Sequence, residues 1–323
     1  MGLSLVTGGS GLLGRALVAK LLAEGKPVRV YDMKAPPEEL RGRVEFHQGD
    51  IKNCEAVVKA CEGAEVVFHL AANMPQAKLP PEGFWEINVG GTLNALEGAL
   101  KYKSRRLVYA STIEIYGVHT KFPVSEESEK YFTGHYSRNK WECEEKLREA
   151  RAKHGIEVAF LRMPMIFGPG FWHEKSMLLM FWLLHKGLRV PVPALTQAPW
   201  AAVSAEDAAQ AFFLAGEVKE ADGEAFNVQA EQAPPYLEVL NQVIKMIGSK
   251  SKPLIIPAWL VERFIKFVEK YDPLPTPGEL VRFALVGGDY SIDKAKRILG
   301  YKPKYTAAEA IVSAYRWLYP DQI

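Results

Sequence analysis

The sequence predicts an α/β fold: a doubly wound parallel sheet, followed by a smaller, mostly helical lobe. Three observations predict it. Apolar strands alternate with amphipathic helices from Leu3 to Arg162, a glycine-rich turn joins the first strand to the first helix, and the alternation breaks down after Gly170. Alternation of this kind puts helices on both faces of a parallel sheet. The boundary is read at residue 170, with a sheet unit over 1–170 and a lobe over 171–323.

The first strand is Leu3-Ser4-Leu5-Val6, and Thr7-Gly8-Gly9-Ser10-Gly11-Leu12-Leu13-Gly14 follows at once, opening a helical pattern to about Glu24. Gly8 permits a tight turn, Gly11 lets backbone approach a pyrophosphate, and Gly14 lets the helix pack close to the strand. Unpaired N–H groups at the helix start, around Leu12 and Leu13, suit phosphate. The G-x-x-G-x-x-G spacing differs by one residue from the commoner G-x-G-x-x-G. A second strand over 28–31 ends at Asp32, 18 residues beyond Gly14. A carboxylate there accepts both ribose hydroxyls of NAD and repels the extra phosphate of NADP. Lys34, Arg41 and Arg43 follow closely and work against that preference. NAD is read over NADP.

Further strands are read near 44–46, 66–69, 107–110 and 158–161, with helices near 53–61, 85–101 and 136–153. In the last helix, Tyr136 and Lys140 stand four residues apart, on one face. A free tyrosine has a pKa of about 10. A lysine beside it, with a cationic ring nearby, favours the phenolate and suits proton exchange with a substrate hydroxyl. Alone, such a pair is common on helix surfaces; its weight comes from its company.

That company is Gly49-Asp50-Ile51, the run from Val66 to Ala72, Asn88-Val89-Gly90-Gly91-Thr92, the run from Leu107 to Thr112, Tyr116-Gly117, Leu161-Arg162-Met163-Pro164, and Phe167-Gly168-Pro169-Gly170. In this order the pieces resemble the extended short-chain dehydrogenase/reductase family over nearly the whole chain. The resemblance implies a Rossmann fold with Asp50 and Ile51 beside the adenine. It puts Leu70, Ala71 and Ala72, continuing to Met74, along the cofactor, with Asn88 behind the site and Pro164 near the nicotinamide. Thr112 matches the family's catalytic Ser/Thr, holding the substrate oxygen for Tyr136, while Lys140 also orients the ribose. The resemblance also implies a homodimer through the helices near 88–101 and 136–153, and segments near 200–228 that return to the main sheet.

Three places bear on the substrate. Sugar-nucleotide relatives usually carry asparagine at the position of Met165, and methionine cannot donate such hydrogen bonds. They typically carry Arg-Asp where this chain has Pro199-Trp200, which leaves Arg189 as the nearest candidate for a diphosphate. The 4,6-dehydratases carry Asp-Glu where this chain has Ile113-Glu114, so the acid for expelling water is missing; Glu114 reads as an auxiliary acid or base, or as a structural partner. Phe171, Trp172, Met177, Leu178, Met180, Phe181, Trp182 and Leu183 crowd one stretch, as core or as an apolar pocket. An amphipathic pattern at 260, 261, 264, 265 and 268, with the closing helix through Trp317, resembles the 3β-hydroxysteroid dehydrogenase-like branch. The expected enzyme is an NAD-dependent oxidoreductase acting on an apolar secondary alcohol or ketone of sterol, steroid or 3-hydroxyacyl type. The rival is a nucleotide-sugar 4-epimerase using the same residues, and a sensor or scaffold without chemistry is a third class.

The composition agrees with an enzyme. Formal charge is +2 over 323 residues with interspersed signs, which gives no reason to expect nucleic acid. Cys54, Cys61 and Cys143 lack metal-ligand or disulfide-framework spacing, so no metal and a reducing cytoplasm are expected. Residues 3–6 lead straight into the glycine turn, which reads as structure and not a signal peptide. No apolar run reaches transmembrane length, and a peripheral membrane contact by 257–271 lacks a basic face to support it.

Overall fold

The computed structural model describes residues 2–74, 77, 79–119, 121–132, 134–172, 174–193, 197–257, 259–260, 263 and 287–321. Its strands are β1 (Leu3–Thr7), β2 (Val28–Asp32), β3 (Glu45–Gln48), β4 (Ala64–His69), β5 (Arg106–Thr112), β6 (Glu157–Met163), β7 (Met165–Phe167), β8 (Val190–Pro193), β9 (Ala202–Ser204), β10 (Ala225–Asn227) and β11 (Pro253–Ile256). Seven of them form one sheet in the order β10-β6-β5-β4-β1-β2-β3, with every neighbouring pair parallel. The order reverses between β1 and β4, which opens a crevice at the carboxyl ends of those strands.

The α-helices are α1 (Leu12–Ala23), α2 (Cys54–Ala60), α3 (Pro81–Trp85), α4 (Gly91–Lys101), α5 (His135–His154), α6 (Lys175–Lys186), α7 (Ala205–Glu217), α8 (Tyr236–Met246) and α9 (Ala307–Leu318). All of β5 is buried, as a central parallel strand covered on both faces must be. Because side chains alternate along it, Val108 joins Leu17, Val18, Leu161 and Phe212 on one face of the sheet. Leu107 and Tyr109 join Val57, Ala95, Leu147 and Phe160 on the other. A five-residue π turn, Glu86–Gly90, joins α3 to α4; such turns recur at functional sites.

The sequence expectation for the second half needs one correction. Of residues 200–228, only Ala225–Asn227 enter the main sheet, beside β6; Ala202–Ser204 pair with β7 in a separate two-stranded sheet. Pro164, which has no N–H, ends β6 and turns the chain out of the main ladder. The lobe is mostly helical, as expected, with α6, α7, α8 and α9 outweighing short strands, of which β8 and β11 pair in parallel. Most of the amphipathic helix expected over 258–269, including 261, 264, 265 and 268, lies outside the described residues. The lobe core gathers Phe167, Phe171, Met180, Phe181, Leu240, Ile311 and Tyr315.

Candidate active site

The cofactor residues expected from the sequence meet at the carboxyl edge of β1, β2 and β4. Gly8 has φ +71°, and a Cβ there would stand 2.8 Å from the Ala71 nitrogen. A Cβ on Gly14 would fall 2.1 Å from the Gly8 carbonyl oxygen. Helix α1 starts at Gly11 with no side chain capping it, so its first N–H groups, at Leu12 and Leu13, remain available to an anion. Asp32 is anchored against this turn: the Ser10 and Lys34 N–H groups each donate to one of its carboxylate oxygens at 3.0 Å. The Lys34 ammonium is turned away, 4.9 Å over the Trp172 ring, and Arg41 donates to the Pro36 carbonyl. Arg15, in the first turn of α1, has a buried Nε with no partner. A turn that excludes Cβ atoms, an uncapped helix end and an oriented carboxylate fit a dinucleotide.

Behind the crevice runs a buried hydrogen-bond chain. Thr92 donates to the Asn88 carbonyl at 2.6 Å, so its oxygen accepts from His69 Nε2 at 3.1 Å. His69 Nδ1 then accepts from the Thr7 hydroxyl at 2.8 Å. Burial pulls the imidazole down to about 3, helped by Lys140, so it stays neutral. The Asn88 side chain exchanges two hydrogen bonds with the Asn73 backbone, which shapes the strip from Leu70 through Ala72 to Met74. At the outer end, the Asp50 carbonyl accepts from Tyr31, and Ile51 packs against Gly91.

The residues expected to react lie at the end of β5 and the start of α5. Thr112 closes β5, with its hydroxyl accepting from the Glu114 N–H at 3.2 Å. Tyr136 and Lys140 project from the first turns of α5, and both are buried. The Lys140 ammonium donates to the Ala110 carbonyl at 2.8 Å and lies 5.7 Å over the Tyr136 ring. Burial lowers its pKa to about 8, against the raising influence of Cys143, Glu114 and Glu144. Burial first, then the Glu114 and Cys143 charges, push the Tyr136 phenol far above its ordinary value. Here the phenol is a proton donor, and its hydroxyl faces the Met74 sulfur at 3.9 Å. Glu114, half-buried, is itself raised to about 7 by burial, with Lys140 opposing. Pro164 is buried at the end of β6.

A second set of residues, given no role by the sequence reading, holds this end together. Glu144 and Arg162 form a buried two-point pair at 3.0 and 2.7 Å. Ser111, next to Thr112, donates to the same carboxylate at 2.6 Å. Arg162 also donates to Tyr116, which donates to Asn227 on β10. The available signal was a charged residue inside an apolar strand, with an acid one turn past Lys140 in a helix.

Other candidates lie elsewhere. Arg189 is exposed before β8, while Met165 and Trp200 pack partly buried on the lobe core. Phe171, Met177, Met180 and Phe181 fill that core; Trp172 and Trp182 face outward. An open cleft of about 430 Å³ on α8 is lined by Gln197, Glu238, Asn241 and Lys245, and neither Thr112, Tyr136 nor Lys140 lines it. Among the described residues no cluster of His, Cys, Asp and Glu could hold a metal.

Residues 4–228 match the model of the NAD dependent epimerase/dehydratase family. The chain belongs to that family. Among this family's curated members, it is 30% identical to uncharacterized protein y4nG of Sinorhizobium fredii, over 97% of this chain and 78% of that protein. It is 29% identical to 3beta-hydroxysteroid-dehydrogenase/decarboxylase isoform 1 of Arabidopsis thaliana, over 95% and 77%. Human short-chain dehydrogenase/reductase family 42E member 1 is 28% identical, over 92% and 83%. In fold it matches UDP-glucose 4-epimerase of Thermotoga maritima, with TM-score 0.81 and 24% identity over 99% of this chain and 100% of that one. The family, an extended short-chain dehydrogenase/reductase group, consists of NAD-dependent enzymes acting on small molecules, and the fold is its Rossmann sheet. Among the described residues no helix is long and apolar enough to cross a membrane.

Proposed function

We propose that the protein is an NAD-dependent oxidoreductase of an apolar secondary alcohol or ketone, of sterol, steroid or 3-hydroxyacyl type. The observation that carries this reading is the surface facing the reacting group: the Tyr136 hydroxyl looks onto the Met74 thioether. Ile113, which follows Thr112 in the chain, joins Val124, Phe132 and Trp141 in an apolar cluster. A sugar diphosphate wants guanidinium or ammonium partners, and Arg189 stands exposed at the start of β8. The 3β-hydroxysteroid relative, aligned over 95% of the chain, points the same way.

Gly8, Gly11, Gly14 and the N–H groups at Leu12 and Leu13 would hold the pyrophosphate, and Asp32 the adenosine ribose. Asp50 and Ile51 would lie by the adenine, Leu70 to Ala72 and Asn88 along the dinucleotide, and Pro164 near the nicotinamide. NAD is favoured over NADP because Lys34 is engaged by Trp172, which leaves the Asp32 carboxylate to repel a 2′-phosphate. When bound, the cofactor supplies a two-electron acceptor with a cationic ring. Thr112 orients the substrate oxygen. Tyr136 exchanges a proton with that oxygen, giving it in reduction and taking it in oxidation. Lys140 keeps a positive charge beside the phenol, which lowers the cost of the phenolate.

We further assign residues 1–170 to the cofactor unit and 171–323 to the substrate lobe. We also place the enzyme in a reducing cytoplasm and infer a homodimer through the helices near 88–101 and 136–153. The deciding experiment titrates NAD into purified protein and follows reduced cofactor on adding sterols or 3-hydroxyacyl compounds. Exchangeable NAD with turnover supports the reading. NAD retained through gel filtration, with turnover on sugar nucleotides alone, replaces it with a 4-epimerase.

A further inference from the structure

One outer face of the lobe departs from the rest of the surface. On α6, Met177, Met180, Phe181 and Leu184 are buried, whereas Lys175, Leu179, Trp182 and Lys186 are exposed. Those four recur at helical spacing and form a single outward stripe. An ordinary surface helix turns polar side chains outward, yet Leu179 is 56% and Trp182 45% exposed.

The neighbouring segments extend the pattern. The Val190 N–H donates to the Lys252 carbonyl, and Ser249 and Ser251 donate to the carbonyls of Leu184 and Leu183. These bonds lock residues 183–190 to 249–256. In that pair of segments Leu188, Leu254 and Ile255 are exposed. Nearly half of the large apolar side chains exposed among the described residues fall within 179–188 and 246–260. The exposed cations along these segments are Lys175, Lys186, Arg189, Lys245, Lys250 and Lys252, with Glu238 exposed two turns before Lys245 on α8. No acidic residue occurs over 175–193 or 239–257, and Glu174, at the N-cap of α6, bonds its carboxylate to Ser176.

We propose that this face docks on an anionic lipid surface, lying in the headgroup layer without crossing it. Apolar side chains would enter the boundary between headgroups and acyl chains, with lysines reaching anionic headgroups. Trp182, amphipathic at its indole N–H, suits that boundary. A second copy of the same face is a poor occupant, because cations would meet cations with no acid between them. The inference stands on surface composition and does not depend on the substrate assigned above.

The test uses the full chain in flotation with vesicles of phosphatidylcholine containing about one-third phosphatidylglycerol, against phosphatidylcholine alone. Binding to the anionic vesicles only is expected, weakening as salt rises. Lys175→Ala and Lys186→Ala should each weaken it about fivefold. Leu179→Ser with Trp182→Ser should abolish it, leaving the thermal midpoint and NAD affinity as in the parent. No binding overturns the proposal, as does equal binding to both vesicles. Binding that survives Leu179→Ser with Trp182→Ser also overturns it, as would oligomers in solution that this double change dissolves.

Discussion

The two ends of the cleft are built in opposite ways. At the cofactor end the surface is backbone, drawn close by missing side chains: Gly8 and Gly14 leave no room for a Cβ. At the reacting end it is side chain, with Thr112, Tyr136 and Lys140 all buried and braced by the Glu144–Arg162 pair. The first construction is local, since strand, turn and helix start follow each other within a dozen residues. The second joins β5, α5, β6 and β10 across more than a hundred residues of chain. Affinity for the cofactor and competence for proton transfer should therefore fail separately.

Tyr136→Phe should test that separation most severely. It removes the exchangeable proton, so kcat should fall about 10²–10⁴-fold while the NAD dissociation constant from fluorescence titration stays nearly unchanged. Retained turnover would mean that another group moves the proton. Glu144→Ala leaves the Arg162 charge buried and unpaired, and urea unfolding should record a loss of about 3–5 kcal/mol. Adding Arg162→Met should restore much of it; no recovery would mean that Glu144 acts alone.

Gly14→Ala attacks the other end, because its Cβ must displace the Gly8 carbonyl. NAD titration should detect a large loss of affinity. Gly25→Ala, at φ +72° with nothing within 4 Å, should cost only about 1–2 kcal/mol of backbone strain and leave NAD binding alone. Asp32→Asn removes charge but keeps shape. A hydrogen bond to a charged group is worth about 1.5–3 kcal/mol, so NAD should bind about tenfold more weakly and the margin over NADP should narrow. Equal use of both cofactors by the parent protein would contradict the reading of Asp32.

The smallest effect concerns pH. Burial raises the folded Glu114 carboxyl from its ordinary 4.5 to about 7, so the native state holds this proton longer than the unfolded chain does. Its contribution is complete below the unfolded pKa and is lost as pH rises through the folded one. Glu114→Gln should thus raise the thermal midpoint, relative to the parent, above about pH 7 and not below about pH 4.5. It should also ease loss of the Tyr136 proton, moving the acid limb of the oxidative pH–rate profile downward. An unmoved limb would separate Glu114 from the tyrosine.

The cofactor end was legible because its determinants are contiguous: a run such as Thr7-Gly8-Gly9-Ser10-Gly11 announces the turn, and Asp32 closes the next strand. Thr112, Tyr136 and Lys140 were picked out by family pattern; the fold buries all three and ties Lys140 to the Ala110 carbonyl, two residues before Thr112. The aromatic crowding from Phe171 to Leu183 was ambiguous for a physical reason. Helical spacing reports that a stripe is apolar, without saying whether the other side is core, ligand or open surface. The structure divides that stretch between the lobe core and an exposed face.

Some of this protein was therefore settled by the order of its residues alone: a parallel α/β sheet, a tight glycine turn before the first helix, and a tyrosine and lysine on one helix face. Those features depend on steric and periodic rules acting over a few residues. Only the tertiary structure decided that Arg162 and Glu144 meet and that His69 stays neutral between two threonines. It also decided that the Tyr136 hydroxyl faces a thioether and that Lys34 turns to Trp172. Each of these depends on which distant groups displace water around a given atom, and desolvation is a property of the packed chain.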